Sequence, residues 1–410
     1  MTRFAYPSQD DLQRFLDWRY RKGWVWQVIF LTSLLIAILS LSALILDVVD
    51  SAFGYVAYEF KTDPALVTDK DLDDLNKEEL IALLQENLSR GAYNKLNNEI
   101  PMESRSEGEL YNLVIERIIQ INTLETYSLF DSIFNKAAIE AEVAELYPDA
   151  RLEFRSWLSA NFLTTPMSSR AEFSGVRTSV MGTLWLVSIA MLFAMPIGIG
   201  AAVYLHEYAR KNFINSAIQT NINNLAGVPS IVYGMLGLAI FVRAMEALTS
   251  GAMFGITDSN GRTIMSAGLT MGILVLPLVI INAQEAIKAV PDSIRQAAYG
   301  VGATRWQTVW SHVLPNALPG ILTGSILAMS RAVGETAPLI IIGASHFITV
   351  DPSGPFSKFT ALPVQIYQLT SRPQAEFHSV AAAAILVLLI LLLTLNSTAI
   401  LLRNRFQRRY

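Results

Sequence analysis

The alternation of apolar and polar positions divides the chain into six long apolar runs and one polar interlude. Runs with no charged residue occupy 24–46, 178–205, 222–242, 263–284 and 379–402; a further run, 317–343, carries only Arg331 and Glu335. A helix that crosses a bilayer needs about 20 such residues, so six transmembrane helices are predicted. Pro196, Pro229, Pro277, Pro319 and Pro338 fall inside these runs. Such breaks are tolerated where neighbouring helices or a water-filled cavity satisfy the freed backbone groups. Between the first and second runs the chain turns polar. There, 75–88 and 110–130 space their apolar residues as helices do, and 139–162 adds another helix interrupted near Pro148. The expected fold is all-α: a polytopic membrane protein with an inserted helical domain.

Composition agrees with this pattern and narrows the chemistry. Of 410 residues, 52% are hydrophobic and 16% charged, against about 25% charged in soluble domains. There is no cysteine, which excludes disulfides, thiolate metal sites and thiol nucleophiles. The four histidines, at 206, 312, 346 and 378, are scattered, and no metal or cofactor is expected. No G-x-x-x-x-G-K-[ST] motif is present, so the chain has no nucleotide site of that type. Apart from Glu335 near Arg331, the spans hold no paired acids and no nucleophile with a base; an enzyme is not expected. The first 23 residues contain acids and aromatics and do not read as a cleavable signal.

Charge is shared unevenly. Residues 50–172 hold 23 acidic and 11 basic side chains, net −12, while the remainder is net +8. Lys and Arg mark the cytosolic flanks of membrane helices. With the N-terminus inside, fourteen of them fall on inner segments, against four in short outer loops and Arg177 at the edge of the second span. Both termini are therefore expected in the cytosol, and the acidic insert outside. The organisation reads as a cytosolic segment 1–23, a first helix 24–49, an extracytoplasmic domain 50–175, a membrane core 176–405 and a tail 406–410. The insert is either a spacer or a docking surface for a soluble partner. Lipid is an expected partner and nucleic acid is not.

The charged pair within 317–343 needs a reason, because each ion costs about 2.5–3.5 kcal/mol at a helix centre on insertion scales. On a continuous helix, Gly320, Gly324, Ala328, Arg331 and Glu335 share one stripe about 80° wide. Small residues at i, i+4 and i+8 let another helix approach closely, and the charges would share that protein-facing side. Arg331 and Glu335 are spaced to pair with each other, which gives a structural reading. The alternative is a ligand path: a guanidinium offers a planar fork of donors that suits phosphate oxygens, and the adjacent carboxylate keeps the anion from being held too tightly.

The loop 285–320 after the fourth run has its own pattern. Val290, Pro291 and Asp292 mark a break, and Asp292 is expected to cap a helix from about Ser293. Gly300 and Gly302 make a turn; Thr304 caps a second short helix through Trp306 and Trp310 to Val313, and Pro315 returns the chain to the membrane. The sequence "RQAAYGVGATRWQTVWSHVLP" resembles the EAA loop of ABC importer permeases, whose pattern is Glu-Ala-Ala, three residues, Gly, nine residues, Ile-x-Leu-Pro. Gln296, Ala297, Ala298, Gly302, His312, Leu314 and Pro315 fall on those positions, with Gln296 in place of Glu and His312 in place of Ile. The resemblance implies that this loop, including Arg295, seats in a cleft of a separate cytosolic ATPase. Without a partner it would read as an amphipathic interfacial helix.

A wider stretch points the same way. "LPGILTGSILAMSRAVGETAPLIIIGASHF" followed by "LPVQIYQL" resembles the PstA family of phosphate-importer permeases, whose mark is a transmembrane Arg-x-x-Gly-Glu-Thr-Ala-Pro: here Arg331, Gly334, Glu335, Thr336, Ala337 and Pro338. "VPSIVYGMLGL" and "YLHEYARKN" look like the same family's core, and the resemblance spans about 175–405. It implies a phosphate path along Arg331 and Glu335, with Thr336 beside them. It further implies a second permease of the PstC type, a homodimeric cytosolic ATPase of the PstB type and an extracytoplasmic phosphate-binding protein of the PstS type. The insert is larger than the family's usual first loop, so its role is not inherited. Two other readings stay open: a permease for another oxyanion such as sulfate, molybdate or phosphonate, and a membrane-anchored sensor or scaffold that works through the insert.

Overall fold

The computed structural model describes residues 9–406 except 63, 69, 71–73, 211 and 257–259. Arg3, Lys211, Arg408 and Arg409, which entered the charge count, and tail residues 407–410 lie outside them. The chain opens with α1 (Gln9–Ala52), a single helix of 44 residues. It extends the first apolar run well beyond its N-terminal end, and its described side chains are exposed from Leu12 to Asp47. Its last turn runs straight into β1 (Phe53–Phe60).

The insert follows as α2 (Lys77–Asn87), α3 (Arg90–Glu99), α4 (Glu107–Val114), β2 (Ile121–Thr126), α5 (Leu129–Phe134), α6 (Lys136–Leu146), β3 (Arg151–Ser156) and α7 (Ala160–Thr164). Asn76 and Ser106 start α2 and α4 with reciprocal capping boxes to Glu79 and Glu109, each satisfying two backbone donors that a helix start leaves free. The three strands form one antiparallel sheet in the order β2-β1-β3. Val56 pairs with Thr126 on one side and Glu153 on the other, and the β1–β2 register shifts between Ala57 and Tyr58.

This sheet corrects the helix-only expectation for the insert. In 110–130 the helical spacing holds only as far as a π-turn, Ile115–Ile119. Gln120 then adopts φ 55, and the alternating Ile and Thr of 121–126 pair with β1. In 139–162 the helix ends at Leu146, before Pro148, and 151–156 becomes an outer strand. Among the described residues three apolar clusters hold the insert, the smallest being Ala57 with Ile139 and Val143 of α6. Leu80, Leu84, Met102, Leu110, Val114 and Ile119 form its own core.

The membrane core contains α8 (Arg177–Val203), α9 (Phe213–Ala226), α10 (Ser230–Gly237), α11 (Glu246–Thr249), α12 (Ile264–Lys288), α13 (Asp292–Gly300), α14 (Arg305–Thr308), α15 (Leu314–Gly334), α16 (Ala337–Ile342), α17 (Leu362–Thr370) and α18 (Ala375–Phe406). The second cluster joins the insert to this core: Ala52, Val56, Trp157 and Phe162 pack with Val380 and Ala381 of α18. Among the described residues five helices are long and apolar enough to cross a membrane. The third expected span, 222–242, is not one straight helix: α9 and the helix from Ser230 to Ala244 meet at 103°, because Gly227 and Pro229 interrupt the hydrogen-bond ladder. They make a sixth span only as a bent pair. The helices α8 and α12 form the centre of the bundle. Small residues bring them together, as membrane helices require: a Cβ on Gly268 would lie 2.7 Å from Ile189 Cβ, and one on Gly272 would lie 2.7 Å from the Phe193 ring.

Candidate functional site

The last apolar window before the C-terminal helix is broken where its charges lie. α15 stops at Gly334, and Glu335 is extended at φ −80, ψ 125. Thr336 then precedes α16, with Pro338 in its first turn. Pro338 has no N–H to give the Gly334 carbonyl, so a continuous helix cannot pass. Arg331 Nε donates to Glu335 Oε1 at 3.3 Å, and the two side chains are 39% and 21% exposed.

The five-residue stripe therefore divides. Gly320, Gly324 and Ala328 seat α15 on its neighbours: a Cβ on Gly320 would lie 2.8 Å from Ala286 Cβ, Gly324 meets Asn282, and Ala328 is fully buried. Arg331 and Glu335 lie beyond that contact and stay partly open in this chain, so the five residues do not share one continuous helix face. The reason is geometric: Glu335 is outside the helix on which the stripe was drawn. Instead, Thr323, Leu327, Arg331 and Gly334 follow one another along an exposed face of α15.

The segment 228–238 packs against this break. A Cβ on Gly234 would lie 2.7 Å from Pro338 Cα. Tyr233 is buried and its hydroxyl donates to the Leu225 carbonyl at 2.8 Å, which ties the start of α10 to the end of α9. Neither residue was among the sequence candidates, although both lie in the noted "VPSIVYGMLGL" stretch. Asn282, opposite Gly324, keeps a buried amide nitrogen without a partner.

The loop 285–315 forms the elbow expected from its caps. Pro291, not Asp292, precedes α13; Asp292 is in the first turn and accepts from Arg295 at 3.1 Å. Gly302 turns the chain at φ +85, with open space where a Cβ would be. Thr304 and Gln307 form a capping box. Gln296 and Ala297 face outward and Ala298 is buried. Leu314 is half-buried, and the exposed Pro315 is in the first turn of α15. Trp306 and Trp310 stack at 5.4 Å and are mostly exposed, as are Tyr299 and Val301. The outer side of the elbow is thus apolar and aromatic.

Arg295 does not belong to that outer side. Its guanidinium donates to Glu207 at 2.8 and 3.2 Å and to the carbonyls of Val290 and Ile287 at 2.7 and 3.0 Å. Its side chain is 11% exposed and that of Glu207 8%. It fastens the elbow to the end of α12 and to the π-turn Tyr204–Tyr208 that closes α8. Glu207 was not a sequence candidate; its one signal was its place inside "YLHEYARKN".

At the opposite end of α8, Arg177 pairs with Asp351 at 2.8 Å and Glu109 at 3.4 Å and donates to the Thr164 carbonyl at 2.6 Å. Thr178 donates to Asp351 at 2.8 Å. The insert, the first turn of α8 and the loop after α16 meet there. In the insert, Tyr127 is pushed up to about 12 by burial and by Glu125 and Glu142.

Comparison with known proteins adds the following. Residues 194–410 match the family described as binding-protein-dependent transport system inner membrane component. A probable ABC transporter permease protein, YqgI of Bacillus subtilis, is 31% identical over 263 residues, covering 61% of this chain and 85% of that one. The phosphate transport system permease protein PstA 1 of Mycobacterium tuberculosis is 36% identical over 231 residues, covering 56% and 70%. Among solved structures, an inward-facing MetNI methionine ABC transporter chain aligns over 59% of this chain and 100% of its own, at 19% identity and a TM-score of 0.45.

Proposed function

This chain belongs to the family of binding-protein-dependent transport system inner membrane components, and from that premise we propose that it is the permease subunit of an ATP-driven phosphate importer. As a member of that family it is a multi-pass inner-membrane subunit of an ABC transporter. The observation that carries the substrate reading is Arg331, a cation in an apolar span that stays 39% exposed on α15. The 36% identity to a phosphate permease supports phosphate as the anion.

In this reading a second permease covers the open face of α15, and phosphate passes along the seam between the two subunits. The Arg331 guanidinium presents paired donors to the phosphate oxygens. Glu335, already 3.3 Å from Arg331 Nε, competes for that guanidinium and so limits how long the anion is held. Conduction needs binding weak enough to permit exit. Thr336, at the start of α16, adds a hydroxyl beside the path. A homodimeric ATPase docks on the elbow through Gln296, Ala297, Gly302 and the exposed aromatics, and a binding protein delivers phosphate on the other side. Both termini lie in the cytosol and the insert outside; the separation of the basic flanks from the acidic insert supports this orientation.

Arg331→Ala is expected to abolish labelled phosphate uptake while the assembled complex still purifies intact. Failure of that variant to assemble would favour a purely structural pair. Uptake of labelled sulfate or molybdate in place of phosphate by the native complex would move the substrate to another oxyanion.

A further inference from the structure

α5 presents its polar side inward. Ser132 is buried, donates to the Ser128 carbonyl at 2.6 Å and accepts the Tyr55 N–H at 2.8 Å. Its outward side is Phe130, Ile133 and Phe134, which are 48%, 61% and 76% exposed. These positions follow the i, i+3, i+4 rule for one helix face, and the two phenyl rings stack at 6.4 Å. A helix surrounded by water turns such a face to the protein interior. Here that face is turned away from it.

The attachment of α5 places this face relative to α1. The Phe130 N–H donates to Asp50 Oδ1 at 2.7 Å, so α5 is fixed to the last turn of α1. The charge-free run of α1 ends at Leu46, and Asp50 lies about 6 Å further along the helix axis at 1.5 Å per residue. The run itself is about 35 Å long, enough to fill a hydrocarbon core of about 30 Å. α5 therefore starts at the level where hydrocarbon gives way to headgroups. In-plane helices sink an apolar face, with Phe, Leu or Trp on it, about 5–10 Å into that boundary. Leu44, Ile45 and Leu46 of α1, just below, are exposed as well.

We propose that α5 is a membrane foot: Phe130, Ile133 and Phe134 dip into the leaflet on the insert's side and hold the insert against the bilayer. The proposal rests on α1 crossing the membrane and not on which anion is carried. The absence of native cysteine makes it directly testable. Single nitroxide labels are placed at Ile133→Cys and Phe134→Cys in the complete permease complex, with cysteine-free partners, in lipid nanodiscs. Leu39→Cys on α1 serves as the lipid reference and Glu86→Cys on α2 as the water reference. The ratio of collision rates with oxygen and with a water-soluble nickel chelate is then measured by electron paramagnetic resonance. At 133 and 134 the ratio should lie several-fold above that at 86 and approach that at 39. A ratio equal to that at 86 would overturn the proposal. Labels at 133 and 134 shielded from both reagents would overturn it too, by showing a protein partner on this face.

Discussion

Arg331 and Arg295 each pair with a carboxylate, yet their surroundings separate them. Arg331 has one partner and is 39% exposed; Arg295 has five hydrogen bonds and is 11% exposed. Removing one member of a buried pair costs roughly 3–5 kcal/mol, because the other charge is left without compensation. Arg295→Ala is thus expected to lower the melting temperature of the purified chain substantially, as would Glu207→Ala. Glu207→Gln keeps an acceptor and should be milder. If Arg295 acted instead through ATPase contact, the alanine variant would melt normally and lose only the ATPase during purification. At this scale the sequence showed that "RQAAYG" belongs to a loop of defined shape. It did not show which way Arg295 turns, since Glu207 is 88 positions away and nothing local predicts the contact.

The elbow is legible element by element. Pro291, Gly302 and Thr304 each act through a local backbone rule, so the two short helices were expected where they occur. Gly302 has the strongest requirement. At φ +85 a residue with a Cβ carries a strain of roughly 1–2 kcal/mol, and nothing in this chain fills the space beside it. Gly302→Leu should leave the chain folded but displace the ATPase, read as loss of co-purification and of uptake. Gly300→Ala, at a position with the same open space and an ordinary helical backbone, should change neither. Other elements were not legible for identifiable reasons. The helix before β2 ends at Gln120, a non-glycine residue at positive φ, so no Gly or Pro announces the change to strand. β1 follows α1 with no turn between them, so no break in the sequence marks where helix gives way to strand. The bend after α9 did have signals, Gly227 and Pro229. A proline inside a membrane span is compatible with a straight crossing as well as with a bend, so they do not by themselves fix the angle.

At the scale of the whole molecule, six apolar runs and an insert were readable because a bilayer imposes a length and a polarity that composition alone reports. The face left open on α15 was not, since a single chain does not record what its assembly covers. The proposed orientation predicts a labelling pattern: a membrane-impermeant maleimide should react with Glu86→Cys on α2 in intact cells, and with Gln13→Cys on α1 only after permeabilisation. The opposite pattern would invert the topology and remove the elbow from the cytosolic ATPase.

α8 and its closing π-turn run as one body from Arg177 to Tyr208, 32 residues and about 48 Å at 1.5 Å per residue. Ionic grips hold both extremities, Arg177 at one and Glu207 at the other. One helix thus links the elbow, through Glu207 and Arg295, to the insert, through Arg177 and Glu109.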